Sequence, residues 1–259
     1  MPDHASPTDA DHDMAVAIAT AAAKVLVELR RQLMDEGVTG SALGDAGDAR
    51  AQQAIAEVMR VLPATDGVLS EEAADDHARL GADRVWIIDP LDGTREFTEL
   101  GRTDWAVHAA LAINGVAMAG AVALPALGEM YSSSNPPQLG DIPTDRPIRI
   151  VVSRTRPPAE ATAVAAALDA ELVPMGSAGA KAMAVVRGEA EVYLHAGGQY
   201  EWDSCAPVAV ALATGLHASR IDGTPLRYNQ PEAWMPDLLI CRTDLAATVV
   251  DVVTRLHNA

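Results

Sequence analysis

Apolar residues recur at helical spacing over residues 14–34, with Arg30 and Arg31 gathered near the end and Gly37 just beyond. That pattern predicts an amphipathic helix stopped by a glycine. Residues 48–62 repeat it, with Asp48 near the start and Pro63 as the stop. Val68-Leu69-Ser70 predicts a short strand that ends at Glu71-Glu72, and Val85-Trp86-Ile87-Ile88 a buried strand running into Asp89-Pro90. Residues 105–113 and 116–124 flank Asn114-Gly115, a strong two-residue hairpin signal.

Between residues 132 and 147 the periodicity disappears into Pro, Ser, Asn and Asp, which predicts a linker. Beyond it strands alternate with helices. Strands are expected at 148–152, 172–173, 192–194 and 237–241, and helices at 158–169, 177–187, 203–214 and 245–256. The expected organisation is a flexible acidic N-terminus (1–13), an α+β half (14–145) and an α/β half (146–259).

Composition narrows the function. The chain has 259 residues, 49% hydrophobic and 21% charged, enough for one large domain or two coupled halves. Thirty-six acidic residues against 19 basic ones give a net charge of −17, which disfavours nucleic-acid polymers as partners. The same field opposes a small anionic substrate unless metal ions or a basic pocket meet it. Cys205 and Cys241 lack a metal-ligand or disulfide spacing, which fits a reducing cytoplasm. The N-terminus lacks the basic and apolar regions of a signal peptide, and no apolar run reaches the roughly 18 residues of a membrane span.

The informative stretch is Asp89-Pro90-Leu91-Asp92-Gly93-Thr94, directly after a buried strand. Pro90 biases Asp89 towards an extended conformation, and Gly93 lets the chain turn tightly. Such a turn can aim both carboxylates and the Leu91 carbonyl at one point, part of an all-oxygen shell suited to Mg²⁺. Asp-Pro and Asp-Gly are also ordinary turn dipeptides, so these residues alone leave the metal site open. Glu71 and Glu72 follow a strand that can approach Asp89. Asp203 opens a helix, where capping is the usual role of an Asp.

Taken together, Ser70-Glu71-Glu72, Asp89-Pro90-Leu91-Asp92-Gly93-Thr94 and Trp202-Asp203-Ser204-Cys205-Ala206-Pro207 resemble the inositol monophosphatase superfamily. Arg95-Glu96-Phe97, Ser153-Arg154-Thr155-Arg156 and Gly176-Ser177-Ala178-Gly179-Ala180-Lys181 are similar to its CysQ-type 3'(2'),5'-bisphosphate nucleotidases. The resemblance implies a layered αβαβα sandwich, two or three Mg²⁺ ions and sensitivity to lithium. It implies metal ligation by Glu71, Asp89, the Leu91 carbonyl, Asp92 and Asp203, with Asp48, Glu71 and Thr94 serving the catalytic water and Glu72 behind them. Gly93, Thr94, Arg95, Ser153, Arg154, Arg156, Ser177 and Lys181 are the implied substrate contacts. Arg156 stands where a His often follows the Ser-Arg pair.

The substrate so implied is a small phosphorylated metabolite, adenosine 3',5'-bisphosphate first and its 5'-phosphosulfate analogue second, linking the protein to sulfate assimilation. An inositol-1-monophosphatase or fructose-1,6-bisphosphatase on the same scaffold is the alternative. A non-catalytic metal-binding scaffold is disfavoured by Thr94, a water-positioning hydroxyl that a scaffold does not need. A homodimer is left open. His108 and His195, inside predicted strands, are expected to be structural. Arg154 and Arg156 have salt bridges as a rival role, and Cys205 reads as packing.

Overall fold

The computed structural model describes residues 6–75 and 77–258. Helix α1 (Asp9–Asp35) begins five residues before the apolar periodicity does. The Thr8 hydroxyl caps the Asp11 N–H while the Asp11 carboxylate accepts from the Thr8 N–H, and Asp11 also pairs with Arg84 at 2.5 Å. Residues 9–13 are therefore helix, not a flexible tail, and residues 1–5 lie outside the described residues.

Helix α2 (Gly40–Met59) starts eight residues earlier than expected. Asp48 thus lies mid-helix and caps nothing. β1 (Gly67–Ser70) pairs in parallel with β2 (Arg84–Asp92). A five-residue helix, α3 (Thr94–Thr98), leads to β3 (Ala106–Ile113) and β4 (Val116–Leu124). Asn114 and Gly115 both have positive φ, 51° and 74°, as the expected hairpin turn requires. A short strand absent from the pattern, β5 (Glu129–Ser132), completes an otherwise antiparallel sheet in the order β1-β2-β3-β4-β5.

The second half holds β6 (Arg149–Ser153), α4 (Ala159–Leu168), β7 (Glu171–Met175), α5 (Ala178–Val186), β8 (Val192–Tyr200) and α6 (Glu201–Ala213). It ends with β9 (His217–Ser219), β10 (Trp234–Cys241) and α7 (Thr243–His257). Its sheet runs β7-β6-β8-β10-β9; the first three strands are parallel, while β10 is antiparallel to both its neighbours.

Alternate faces of the strands make three cores. Trp86, Ile88, Val107 and Leu111 face Ile18 and Leu26 of α1 and Ile55 of α2. Val85, Ile87 and Ala110 turn the other way, onto Met183 and Val185 of α5, Val208 and Val210 of α6, and Tyr193 and Ile240 of the second sheet. Ile150, Val192 and Leu239 pack on Val164 of α4 and Val249 of α7. The layers are α1/α2, sheet, α5/α6, sheet and α4/α7, the expected αβαβα sandwich. Among the described residues no helix is long and apolar enough to cross a membrane.

Candidate active site

In a regular strand, residues three apart point to opposite faces. Asp89 and Asp92 escape this because the β2–β3 register shifts between them: Asp89 pairs with His108, and Asp92 with Ala106. Two residues, Pro90 and Leu91, thus stand opposite Val107 alone, a bulge where the missing proline N–H costs no ladder bond. The acidic pair therefore sits at a bulge at the end of β2, not in a turn after it. The bulge directs both carboxylates to one side.

Parallel pairing then brings in Glu71. Ser70 lies beside Ile88, and the Glu71 N–H donates to the Ile88 carbonyl at 3.2 Å, so Glu71 emerges next to Asp89. Asp203 comes from the other half, in the first turn of α6, where its Oδ2 accepts the Tyr200 N–H at 2.6 Å. Asp89, Asp92 and Asp203 each offer a carboxylate oxygen within 4.8 Å of the others.

The electrostatics are those of crowded acids, buried at Asp89 and Asp92, half-buried at Asp203 and open to solvent on one side at Glu71. Burial first, then the Asp203 charge, pushes Glu71 up to about 7. Burial and the charges of Glu71, Asp92 and Asp203 hold Asp89 well above the usual carboxylate range. Asp203 is pushed up to about 6 by burial and by Asp92. Burial would raise Asp92 as well, but His108, the Ser177 hydroxyl and Lys181 carry it below its ordinary value. An all-oxygen cluster that cannot shed its mutual repulsion into water fits a multivalent hard cation.

Asp48 reaches this cluster from α2. Its Oδ1 is 3.5 Å from Thr94 Oγ1, which also lies 3.1 Å from the Leu91 carbonyl oxygen. Burial and then the charge of Glu72 push Asp48 up to about 7. Glu72 itself is exposed. Glycines bring α2 this close: a Cβ on Gly44 would stand 2.8 Å from Thr94 Cγ2, and one on Gly47 2.8 Å from Leu91 Cδ2.

Two adjoining clefts open from the cluster. One, of about 330 Å³, holds Asp92, Asp203, His195, Tyr200 and Gly198; the other, of about 310 Å³, holds Arg95, Arg154, Thr155 and Arg156. Gly93, Ser153, Ser177 and Lys181 line both. The expected contacts therefore converge, but three are otherwise engaged. The Ser177 hydroxyl donates to Asp92 and accepts from the Ala180 N–H. Arg154 pairs with Glu96 at 2.6 Å and Glu99 at 2.5 Å, the rival salt-bridge role. Lys181 is buried, and its ammonium donates to the carbonyls of Gly176 and Ser177 and lies 5.3 Å from the Tyr193 ring. The Arg156 side chain forms no hydrogen bond or ion pair with the described residues; its backbone N–H donates to Ser153 Oγ.

His108 joins the site although the pattern marks it only as a strand residue. It is fully buried, its Nδ1 2.9 Å from the Trp202 carbonyl and its Nε2 3.2 Å from Asp92 Oδ2, off the line of a good hydrogen bond. The cross-strand pairing that aims it is invisible in one sequence. Cys205 is buried in the packed face of α6, as expected.

A model of the inositol monophosphatase family matches residues 9–254. The chain belongs to that family. Members of this family are metal-dependent, with Mg²⁺ the typical ion. The 3'-phosphoadenosine 5'-phosphate phosphatase of Mycobacterium leprae is 49% identical over 255 residues, which span 94% of this chain and 93% of that protein. The 3'(2'),5'-bisphosphate nucleotidase CysQ of Escherichia coli K12 is 30% identical over 73% of this chain and 81% of its own. The crystal structure of CysQ from Bacteroides thetaiotaomicron superposes with a TM-score of 0.73 at 26% identity, covering 90% of this chain and 97% of that one.

Proposed function

We propose that this family member is a Mg²⁺-dependent phosphomonoesterase that removes the 3'-phosphate of adenosine 3',5'-bisphosphate, and less readily that of the 5'-phosphosulfate analogue. One observation carries the reading. The carboxylate cluster, with Asp48 and Thr94 beside it, opens into a cleft that adjoins a second cleft bearing cations. A monoester dianion fits the first and a second phosphate the other. The names of the relatives that share 49% and 30% identity support the same substrate class.

Glu71, Asp89, the Leu91 carbonyl, Asp92 and Asp203 would hold two or three Mg²⁺ ions. When bound, Mg²⁺ would offset the charge of the phosphate dianion and make a coordinated water more acidic. Thr94 Oγ1, held between the Leu91 carbonyl and Asp48, is placed to orient the attacking water. Asp48, which contacts Thr94, and Glu71 would take its proton. Arg156, Arg95 and the buried Lys181 supply positive charge for the phosphate that stays. Direct attack by water needs no covalent enzyme intermediate, and Cys205 is packed away from the site. Cys205 and Cys241 are buried free thiols, which supports a reducing, cytoplasmic setting.

The test is phosphate release with Mg²⁺ from adenosine 3',5'-bisphosphate, its 5'-phosphosulfate analogue, inositol 1-phosphate and fructose 1,6-bisphosphate. The highest kcat/KM is expected on the first. A preference for either of the last two would move the enzyme to the inositol or fructose phosphatases, and no release from any would leave a metal-binding scaffold.

A further inference from the structure

Aromatic residues make up only 3% of this chain, so where they stand is informative. Trp86, Trp105, Tyr193, Tyr228 and Phe97 are buried. Among the described residues two aromatic side chains are largely in solvent, Tyr200 at 47% and Trp234 at 51% exposure. These two are direct partners across the β8–β10 ladder, so they project from the same face.

Each is held in place. The Trp234 indole lies over Gly198, where a Cβ would come within 2.5 Å of Nε1. The Tyr200 ring stacks on Trp202, with centroids 4.7 Å apart and planes 8° from parallel. One face of Tyr200 is therefore covered by a partly buried indole while much of the ring stays open. A ring so fixed gives up little rotamer freedom when a ligand meets it.

The position is as telling as the exposure. Tyr200 lines the cleft that contains Asp92, Lys181 and Asp203, and its own N–H donates to Asp203. An apolar, flat surface thus stands beside charged groups in one cleft, three residues from a carboxylate of the acidic cluster. Exposing apolar area to water is unfavourable, and the fold could have covered this ring as it covers the others. Neither a phosphate nor a hydroxyl-bearing inositol ring offers it a matching flat partner. A nucleobase does, because every base presents a π-face.

We infer that Tyr200, backed by Trp202 and flanked by Trp234, is a nucleobase-stacking platform that makes this cleft select nucleotides over sugar and inositol phosphates. The inference rests on the proposed nucleotide substrate and adds the group that recognises the part of it away from the phosphates. Stacking reads area rather than hydrogen-bond pattern, so adenine and guanine nucleotides are accepted alike and pyrimidines more weakly.

The test compares adenosine 3',5'-bisphosphate with ribose 3,5-bisphosphate, which keeps both phosphates and lacks the base, on the Mg²⁺-loaded enzyme. Tyr200→Ala should lower kcat/KM on the nucleotide by roughly fivefold to a hundredfold more than on the base-free sugar, mostly through KM. Tyr200→Phe should restore most of the difference. A second measurement needs no variant: the wild-type enzyme should bind adenosine 5'-monophosphate more tightly than ribose 5-phosphate by a similar factor in calorimetry. Equal losses on the two substrates, or equal affinities for the two monophosphates, would overturn the platform. Failure of wild-type enzyme to hydrolyse the nucleotide at all would instead overturn the proposed function.

Discussion

His108 stands with Nε2 3.2 Å from Asp92 Oδ2 while its Nδ1 faces the Trp202 carbonyl at 2.9 Å. One buried imidazole thus ties the bulge of β2 to the first turn of α6, the two segments that bring Asp92 and Asp203 together. A carbonyl only accepts, so Nδ1 carries a proton. His108→Leu leaves that carbonyl without its donor, at a cost of about 1–3 kcal/mol, and removes a charge that faces Asp92. For a chain of this size we expect Tm to fall by roughly 2–12 °C in calorimetry, together with weaker apparent Mg²⁺ affinity. Parent-like values of both would mean that the imidazole is only filling space.

The acidic cluster sets a pH dependence for the metal-free protein. Glu71 and Asp48 are pushed up to about 7 and Asp203 to about 6, by burial first and neighbouring carboxylates second. In the unfolded chain such groups titrate at about 4. Between about pH 4 and 7 the folded protein holds protons that the unfolded chain has released, so its stability falls as pH rises through that window. His108 works in the same direction. Burial lowers its affinity for a proton, but Asp92 and the Trp202 carbonyl raise it above the ordinary 6.5, so its contribution is complete below that value and fades as pH climbs past the folded one. After chelation, Tm should decrease from about pH 5 to about pH 8. Added Mg²⁺ should raise Tm more at the higher pH, because the cation takes the ionised carboxylates. A Mg²⁺ effect as large at pH 5 as at pH 8 would contradict this account.

Two conservative substitutions separate chemistry from folding. Asp203 Oδ2 accepts only the Tyr200 N–H among the described residues, and an asparagine carbonyl can replace it there. Asp203→Asn should therefore keep Tm within about 2 °C while turnover drops a hundredfold or more, since a ligand charge is lost. Asp92 differs, because it accepts from Ser177 Oγ and from the N–H groups of Ala178 and Gly179. An amide there turns a donor towards donors, so Asp92→Asn should lose both turnover and stability, the latter by about 1–3 kcal/mol. Near-parental turnover of either variant in saturating Mg²⁺ would remove its residue from the metal set.

The layers and the acidic residues were legible because they rest on local signals. Asn114-Gly115 demands positive φ at both positions, and Trp86 and Ile88 share a face by simple alternation. The start of α2 was not legible, because Gly40, Gly44 and Gly47 look like helix breakers. The structure explains two of them, since Gly44 and Gly47 form the face on which the helix meets Thr94, Leu91 and Phe97. Tertiary contact outweighs propensity there, and it carries Asp48 into the site from mid-helix. β5 and β9 are short strands at sheet edges, too brief for a period to register. The bulge in β2, the partners of Arg154 and the alignment of His108 are all long-range facts, and no spacing along the chain encodes them.

The last prediction concerns the arginines that the chain offers as phosphate contacts. Arg154 and Arg156 lie two residues apart and line the same cleft, yet only Arg154 is already paired, with Glu96 and Glu99 of the first half. Gly176 makes room for this link, because a Cβ there would lie 2.2 Å from the Glu96 carboxyl carbon. Arg154→Ala should therefore loosen the junction between the halves and lower kcat/KM by similar factors on adenosine 3',5'-bisphosphate and inositol 1-phosphate. Arg156 is exposed, with no carboxylate partner among the described residues, so its charge is available to a ligand. Arg156→Ala should cost the bisphosphate roughly tenfold to a hundredfold in kcat/KM, the loss expected for one charge-assisted hydrogen bond. The monophosphate has no second phosphate and should lose far less. Both substrates use the same carboxylate cluster and the same Thr94, so the difference between them isolates the phosphate that is not cleaved. If Arg154→Ala proved selective and Arg156→Ala did not, the ion pairs to Glu96 and Glu99 would have to open on binding. Equal losses on both substrates for Arg156→Ala would instead assign this arginine to the scissile phosphate or to the fold.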